Sequence, residues 1–158
     1  MSSAIASQLV HDIVATADLF LRESARLFRP QGLTAAQFNV INLLAAPEVQ
    51  RGLSQRELAD MLVVDRSNVT GLIDRMEKAG WVRRADDPSD RRVYRVQLTA
   101  AGRKLWQQVA PGYADVVRQV TDRLGERRMK DAVALLATLR EDATRWVMPG
   151  ADKTSRSS

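Results

Sequence analysis

The run from Ser54 to Thr99 limits the fold more than any other part of the chain. Ser54 and Glu57 have the spacing of a capping box, in which the serine side chain takes the backbone N–H three residues on and the glutamate reaches back. Leu58, Met61 and Leu62 then share one helical face. Val63-Val64-Asp65 reads as a short turn. Apolar residues recur at helical spacing from about Arg66 to Ala79, and Gly80 stands where a left-handed C-cap residue is expected. From Trp81 the period changes. Trp81-Val82, the turn-rich Asp86-Asp87-Pro88-Ser89-Asp90 and the alternating Val93-Tyr94-Arg95-Val96-Gln97-Leu98 predict two short strands around a polar tip, a β-hairpin. Two helices joined by a three-residue turn form a helix-turn-helix, and the hairpin that follows extends it.

The second helix of this pair divides into two faces. Val69, Leu72, Ile73 and Met76 fall together and are expected in a core, while Ser67, Thr70, Gly71 and Asp74 face the other way with Asn68 and Arg75 on the flanks. Such short or planar hydrogen-bonding groups suit base edges and phosphates in a major groove. They suit an ordinary solvated helix surface as well. Gly71 costs a helix interior roughly 1 kcal/mol, and close approach to DNA accounts for that cost. At the hairpin tip, Arg91 and Arg92 are placed to enter a minor groove, where negative potential is focused, with Asp90 able to hold an arginine extended. The alternative is a solvated turn whose opposite charges pair at little energetic value. Arg83, Arg84 and Arg95 fit either phosphate contacts or simple solubility. A formal net charge of +5 agrees with a polyanionic partner, of which nucleic acid and anionic membrane surfaces are the usual kinds.

Both ends of the chain carry long apolar stripes. From about Ala4 to Phe28, Ile5, Leu9, Ile13, Ala17 and Leu21 recur at helical spacing, and Pro30-Gln31-Gly32 ends that helix. Thr34 and Gln37 form a second capping box, followed by inward-facing Phe38, Ile41 and Leu44, with Pro47 marking the end. Thr99 caps a long helix bearing Leu105, Val109, Val116, Val120 and Leu124, with a kink expected at Pro111-Gly112. After Gly125 a last helix carries Met129, Val133, Leu136, Leu139, Ala143 and Trp146. The fold class is therefore mainly α with a small β-hairpin wing. The expected division is a winged helix-turn-helix over 33–98, a helical dimerisation region over 1–32 and 99–148, and a disordered tail over 149–158.

The chain contains no cysteine and one histidine, His11, so disulfides, thiolate metal sites and a structural zinc cluster are not expected. No cofactor is expected either. No glycine-rich phosphate loop, nucleophile–base pair or pocketed carboxylate cluster is evident, which argues against an enzyme. No stretch reads as apolar enough to span a bilayer and no leader is evident, so no membrane partner and a cytoplasmic location are expected.

Ser54-Gln55-Arg56-Glu57-Leu58-Ala59, Asp65 through Gly80, and Asp90-Arg91-Arg92 with Val96, Leu98 and Thr99 resemble the MarR family of winged helix-turn-helix regulators. The resemblance is strongest from about Leu53 to Gly102. It implies a homodimer whose terminal helices interlock, with recognition helices in successive major grooves of double-stranded DNA and wings in the flanking minor grooves. It implies major-groove contacts from Ser67, Asn68, Thr70 and Arg75, a wing pair of Asp90 and Arg92, and phosphate contacts from Gln55 and Arg56. Many members carry arginine where this chain has Gly71. Many also respond to small aromatic acids or phenols, and His11, Phe20, Phe38 and Trp106 are the candidates to line such a pocket. Core packing is the plainer reading of those aromatic residues, and a helix surface or dimer interface that of His11. The absence of cysteine excludes the thiol-oxidation signal of the hydroperoxide-sensing members. Together these points predict a homodimeric repressor released from a pseudo-palindromic operator by a small-molecule effector. The alternative is an architectural or partner-docking winged-helix protein without an effector.

Overall fold

A computed structural model describes residues 3–62, 66–90 and 92–145, apart from the side chains of Arg66, Ser67 and Thr144. The turn 63–65, Arg91, Trp146 and the tail expected over 149–158 lie outside the described residues. The chain divides into two units, one reaching Asp115 and the other starting at Val116.

In the first unit, α1 (Ser3–Phe28) runs into a short 3-10 turn over Arg29–Gln31, closed by Gly32. Helix α2 (Ala35–Ala45) starts on Thr34 with both bonds of the expected capping box in place: the Gln37 N–H donates to Thr34 Oγ1 and the Thr34 N–H to Gln37 Oε1. The second box is also formed. The Glu57 N–H donates to Ser54 Oγ at 3.2 Å and the Ser54 N–H to Glu57 Oε2 at 2.7 Å, which starts α3 (Gln55–Leu62). Helix α4 (Arg66–Lys78) ends at Gly80, whose φ of 76° is strained for any side-chain-bearing residue. Strands β2 (Val82–Asp86) and β3 (Tyr94–Leu98) form the expected antiparallel hairpin.

The wing has a third strand that the pattern of residues did not announce. The two-residue β1 (Leu53–Ser54) pairs with β3, giving the order β1-β3-β2. A two-residue strand carries no period of its own. It is possible because Gly52, at φ 77°, lies where a Cβ would stand 2.3 Å from the Val96 carbonyl oxygen. Helix α5 (Ala100–Thr121) is capped by Thr99, whose Oγ1 accepts from the Gly102 N–H. It runs through Pro111 without ending, as expected of a helix that loses one hydrogen bond at a proline and keeps its neighbours.

The core gathers Phe28, Phe38, Val40, Ile41, Leu44, Leu58, Val69, Ile73, Met76, Val82 and Val96 from helices α1 to α4 and strands β2 and β3. The inward face of α4 is thus the expected one. Met61 is a correction: it is half exposed and does not share the buried face of Leu58. At one end of this core the rings of Phe28, Phe38 and Tyr113 pack together, with centroids 4.3 Å apart for Phe28–Phe38 and 4.8 Å for Phe38–Tyr113. Single aromatic residues of α1, α2 and α5 meet there.

Helix α1 leaves Ile5, Val10, Val14, Phe20 and Leu21 at 40% exposure or more. By length and composition alone, Ser3–Gln31 is long and apolar enough to cross a membrane, with a mean hydropathy of 1.3 over its most apolar window. That corrects the expectation that no stretch of the chain is. The polar residues interrupting it are mostly weakly hydrophilic Ser, Gln and Thr, and Asp12 and Asp18 are the only acids before Phe20. The core helix of a soluble protein and a signal sequence pass the same test. In the second unit, α6 (Glu126–Arg145) follows the end of α5, and Val133, Leu135 and Leu136 are about half exposed or more.

Candidate nucleic-acid interface

Helix α4 keeps Val69, Leu72, Ile73 and Met76 inside, so Asn68, Thr70, Asp74 and Arg75 project outward, with Gly71 between them. Ser67 belongs to the first turn of α4, but its side chain lies outside the described residues. Thr70 Oγ1 donates to Gln55 Oε1 at 3.1 Å. This joins two of the expected DNA-contacting residues across the turn, one from each helix. Arg56 is exposed at the start of α3, with its Nε 4.0 Å from Asp60. A pair that long and that open to water holds Arg56 only weakly. Arg75 and Asn68 line a shallow groove with Ala36 and Asn39 of α2.

The wing tip shows two aspartates with different fates. Asp90 is partly exposed and accepts from Arg92 three times: from the backbone N–H at 3.0 Å, from Nε at 3.2 Å and from Nη2 at 3.4 Å. These bonds hold the Asp90 carboxyl below the usual aspartate range, with the Arg92 guanidinium contributing most. The Arg92 side chain remains 90% exposed while held in this way. An arginine that is oriented by a neighbour yet open to solvent is well prepared to meet an anion. Arg91 lies outside the described residues.

Asp87 turns inward instead. Its side chain is 7% exposed, and its Oδ1 accepts from the Ser89 N–H at 2.7 Å and the Asp90 N–H at 3.2 Å. Its Oδ2 accepts from Arg95 Nε at 2.5 Å. Arg95 above all, then the Ser89 N–H, depress the Asp87 carboxyl. The signal for this was present in the sequence. An aspartate two residues before a serine across a proline is an Asx-turn pattern, and such a side chain bonds its own backbone rather than solvent.

Arg84 and Arg95 correct the expectation of phosphate-facing or merely solubilising arginines. Arg84 donates to Asp74 Oδ1 at 2.5 Å and also to Glu77, fastening β2 to α4. Arg95 Nη1 donates to Glu57 Oε2 at 2.8 Å and to the Gly52 carbonyl at 3.4 Å, fastening β3 to the start of α3. The Glu57 carboxyl is lowered by the Ser54 backbone N–H and hydroxyl first, with Arg95 adding to them. Arg83 donates to Gln97 across the hairpin.

The four candidates for a ligand pocket are dispersed. Phe38 is fully buried between Phe28 and Tyr113, where it has no open face to offer a ligand. Trp106 donates its indole N–H to Asn42 Oδ1 at 3.1 Å, linking α5 to α2. His11 and Phe20 are exposed on α1. Nine residues of helix turn through about 900°, which puts those two on opposite sides and about 14 Å apart along the axis. Within one chain they cannot line the same cavity. Among the described residues no group of three or more His, Cys, Asp or Glu is placed to hold a metal ion.

Comparison with known proteins gives a consistent picture. The MarR family model matches residues 33–94. The chain is 37% identical over 106 residues to the transcriptional activatory protein BadR of Rhodopseudomonas palustris, covering 67% of this chain but 61% of that relative's length. It is 32% identical over 123 residues to the HTH-type transcriptional regulator FarR of Neisseria gonorrhoeae, covering 73% of this chain and 82% of the relative. Among solved structures, a MarR family transcriptional regulator from Streptomyces coelicolor in complex with DNA superposes with a TM-score of 0.77 at 30% identity, over 95% of this chain and 92% of that one.

Proposed function

Since the chain belongs to the MarR family of winged helix-turn-helix transcriptional regulators, a family of non-enzymatic DNA-binding proteins, we propose that it acts as a homodimer on a pseudo-palindromic operator. In this reading α4 enters the major groove with Ser67, Asn68, Thr70 and Arg75, while Gln55 and Arg56 meet phosphates at the start of α3. Asp90, Arg91 and Arg92 serve the flanking minor groove. The observation that carries the reading is Arg92, highly exposed yet hydrogen-bonded to Asp90 at the tip of a wing whose base is anchored to the helix-turn-helix.

Dimerisation is supported by the exposed apolar side chains of α1 and α6, which a second copy of the chain would cover. A two-fold protein then requires two half-sites about one DNA turn apart. We assign the winged module to 33–98 and the dimer helices to 1–32 and 99–148, with the protein acting in the cytoplasm, where the DNA is. Its action is repression where the operator overlaps a promoter; the resemblance to a protein named as an activator makes operator position the deciding variable. An aromatic acid or phenol is the effector class to test first. It would release DNA by favouring a spacing of the two wings that no longer fits two grooves.

The test is selection of bound fragments from genomic DNA, repeated with a panel of aromatic acids, followed by salt titrations on the recovered operator. Arg92→Ala should weaken binding and reduce the slope of log affinity against log salt by about one. An unchanged affinity and slope would remove the wing from the interface. Tight binding at low salt with no preferred fragment would favour an architectural protein instead.

A further inference from the structure

We propose that Arg95 is a positioning residue for DNA binding: it links the start of α3 to the wing tip and thereby sets where Arg92 is presented. The inference rests on the reading that Arg92 contacts DNA. A continuous chain of short contacts supports it. Glu57, already fixed by the Ser54 N–H, accepts from Arg95 Nη1 at 2.8 Å. Arg95 Nε donates to Asp87 at 2.5 Å, and the other oxygen of Asp87 gathers the Ser89 and Asp90 N–H groups. Asp90, its backbone held in this way, turns its carboxylate on Arg92.

The two arginines are built for opposite tasks. The Arg95 side chain is 26% exposed and its guanidinium already serves two carboxylates and a backbone carbonyl. Little of it is left for a phosphate. Arg92 is 90% exposed and serves one carboxylate. A planar fork is needed to reach Asp87 and Glu57 together, because Nε and Nη1 point in different fixed directions. Lysine keeps the charge at 95 but offers a single nitrogen, so it can satisfy one carboxylate well and leaves the other to water. An isolated surface ion pair would matter little. This pair differs because Asp87 is buried and all of its bonds organise wing backbone or Arg95.

The experiment measures operator affinity for wild type, Arg95→Lys, Arg92→Ala and the double variant, each at several salt concentrations. Arg95→Lys should weaken binding about five- to tenfold, with the salt slope reduced by no more than in Arg92→Ala, since the DNA contact it disturbs is that of Arg92. In the Arg92→Ala background, Arg95→Lys should add less than about twofold, because a residue acting through Arg92 has nothing left to position. Glu57→Gln, which keeps an oxygen for the Ser54 N–H, should give a smaller loss of the same kind and the same silence beside Arg92→Ala. Thermal unfolding of each variant at fixed chain concentration keeps folding defects separate. Wild-type affinity in both Arg95→Lys and Glu57→Gln would overturn the proposal. So would full additivity of Arg95→Lys with Arg92→Ala, in affinity or in salt slope. If Arg92→Ala itself binds as wild type, the wing reading fails. Any loss in Arg95→Lys would then have to act elsewhere, and the positioning role would fail with it.

Discussion

Replacing Gly71 by alanine should move folding stability and DNA affinity in opposite directions. Gly71 lies inside α4 and its φ is not in the left-handed region, so an alanine fits the backbone. Among the described residues, a Cβ built there meets only Arg75 Nη1, at 3.5 Å, which is ordinary contact with the far end of a flexible side chain. With no clash and no strain, the helix-propensity difference should appear nearly whole. That is a gain of about 0.8–1 kcal/mol, or roughly 2–4 °C in Tm for a chain of this size. Urea denaturation at one fixed chain concentration reads it, with an unchanged m-value showing that the unfolded state is not the cause. Operator affinity should fall at the same time, by about tenfold or more, because a methyl group pressed into a close helix–groove contact costs about 1–3 kcal/mol. A loss of stability would show that the clearance around Gly71 is misjudged. Unchanged or improved operator binding would show that α4 does not approach DNA closely at this residue.

The same substitution at Gly102 should have the reverse sign for folding. A Cβ there would stand 2.0 Å from the Trp81 carbonyl oxygen and 2.9 Å from its carbon, so backbone must move and about 1–3 kcal/mol or more should be lost in urea denaturation. The wing should loosen in acid. Asp87 and Glu57 titrate below their usual ranges when folded, so the stability they supply is complete above the unfolded carboxylate values near pH 4 and is lost as pH falls through the lower folded ones. The protection of the Ser89 and Asp90 amides, with exchange corrected for its intrinsic pH dependence, should therefore fall below about pH 4, and Asp87→Asn should already show low protection at pH 7. Val133→Asp, on an α6 side chain that is 68% exposed, should shift sedimentation toward monomer without loss of helical signal. An unchanged sedimentation coefficient would place the dimer contact elsewhere.

Much of the fold could be read from the chain because its punctuation is local. Two capping boxes, Gly80, and the change of period at Trp81 each act within four residues, and each appears where expected. What escaped reading depends on distant partners. Arg95 and Glu57 are 38 residues apart and Arg84 and Asp74 are ten, and nothing local distinguishes a clamped arginine from a solvated one. β1 escaped because its pairing is set by Gly52 and Val96 across the sheet rather than by its own residues. Among the site residues, Asp90 and Arg92 were legible as a pair since two residues suffice to form it. The four proposed pocket residues were not assignable, because a buried aromatic such as Phe38 and a ligand-facing one share the same helical spacing.

The strand order of the wing has a consequence for how many copies of this protein can be crowded together. A protruding sheet is an open invitation to backbone pairing, and its two rims here are β1 and β2. One rim is two residues long, too short to template a partner strand. The other, Val82–Asp86, carries Arg83, Arg84 and Asp86 in five residues, so an identical rim brought alongside would meet fixed charge rather than a flat apolar ribbon. Neither rim of the wing therefore offers a ready template for strand addition between copies.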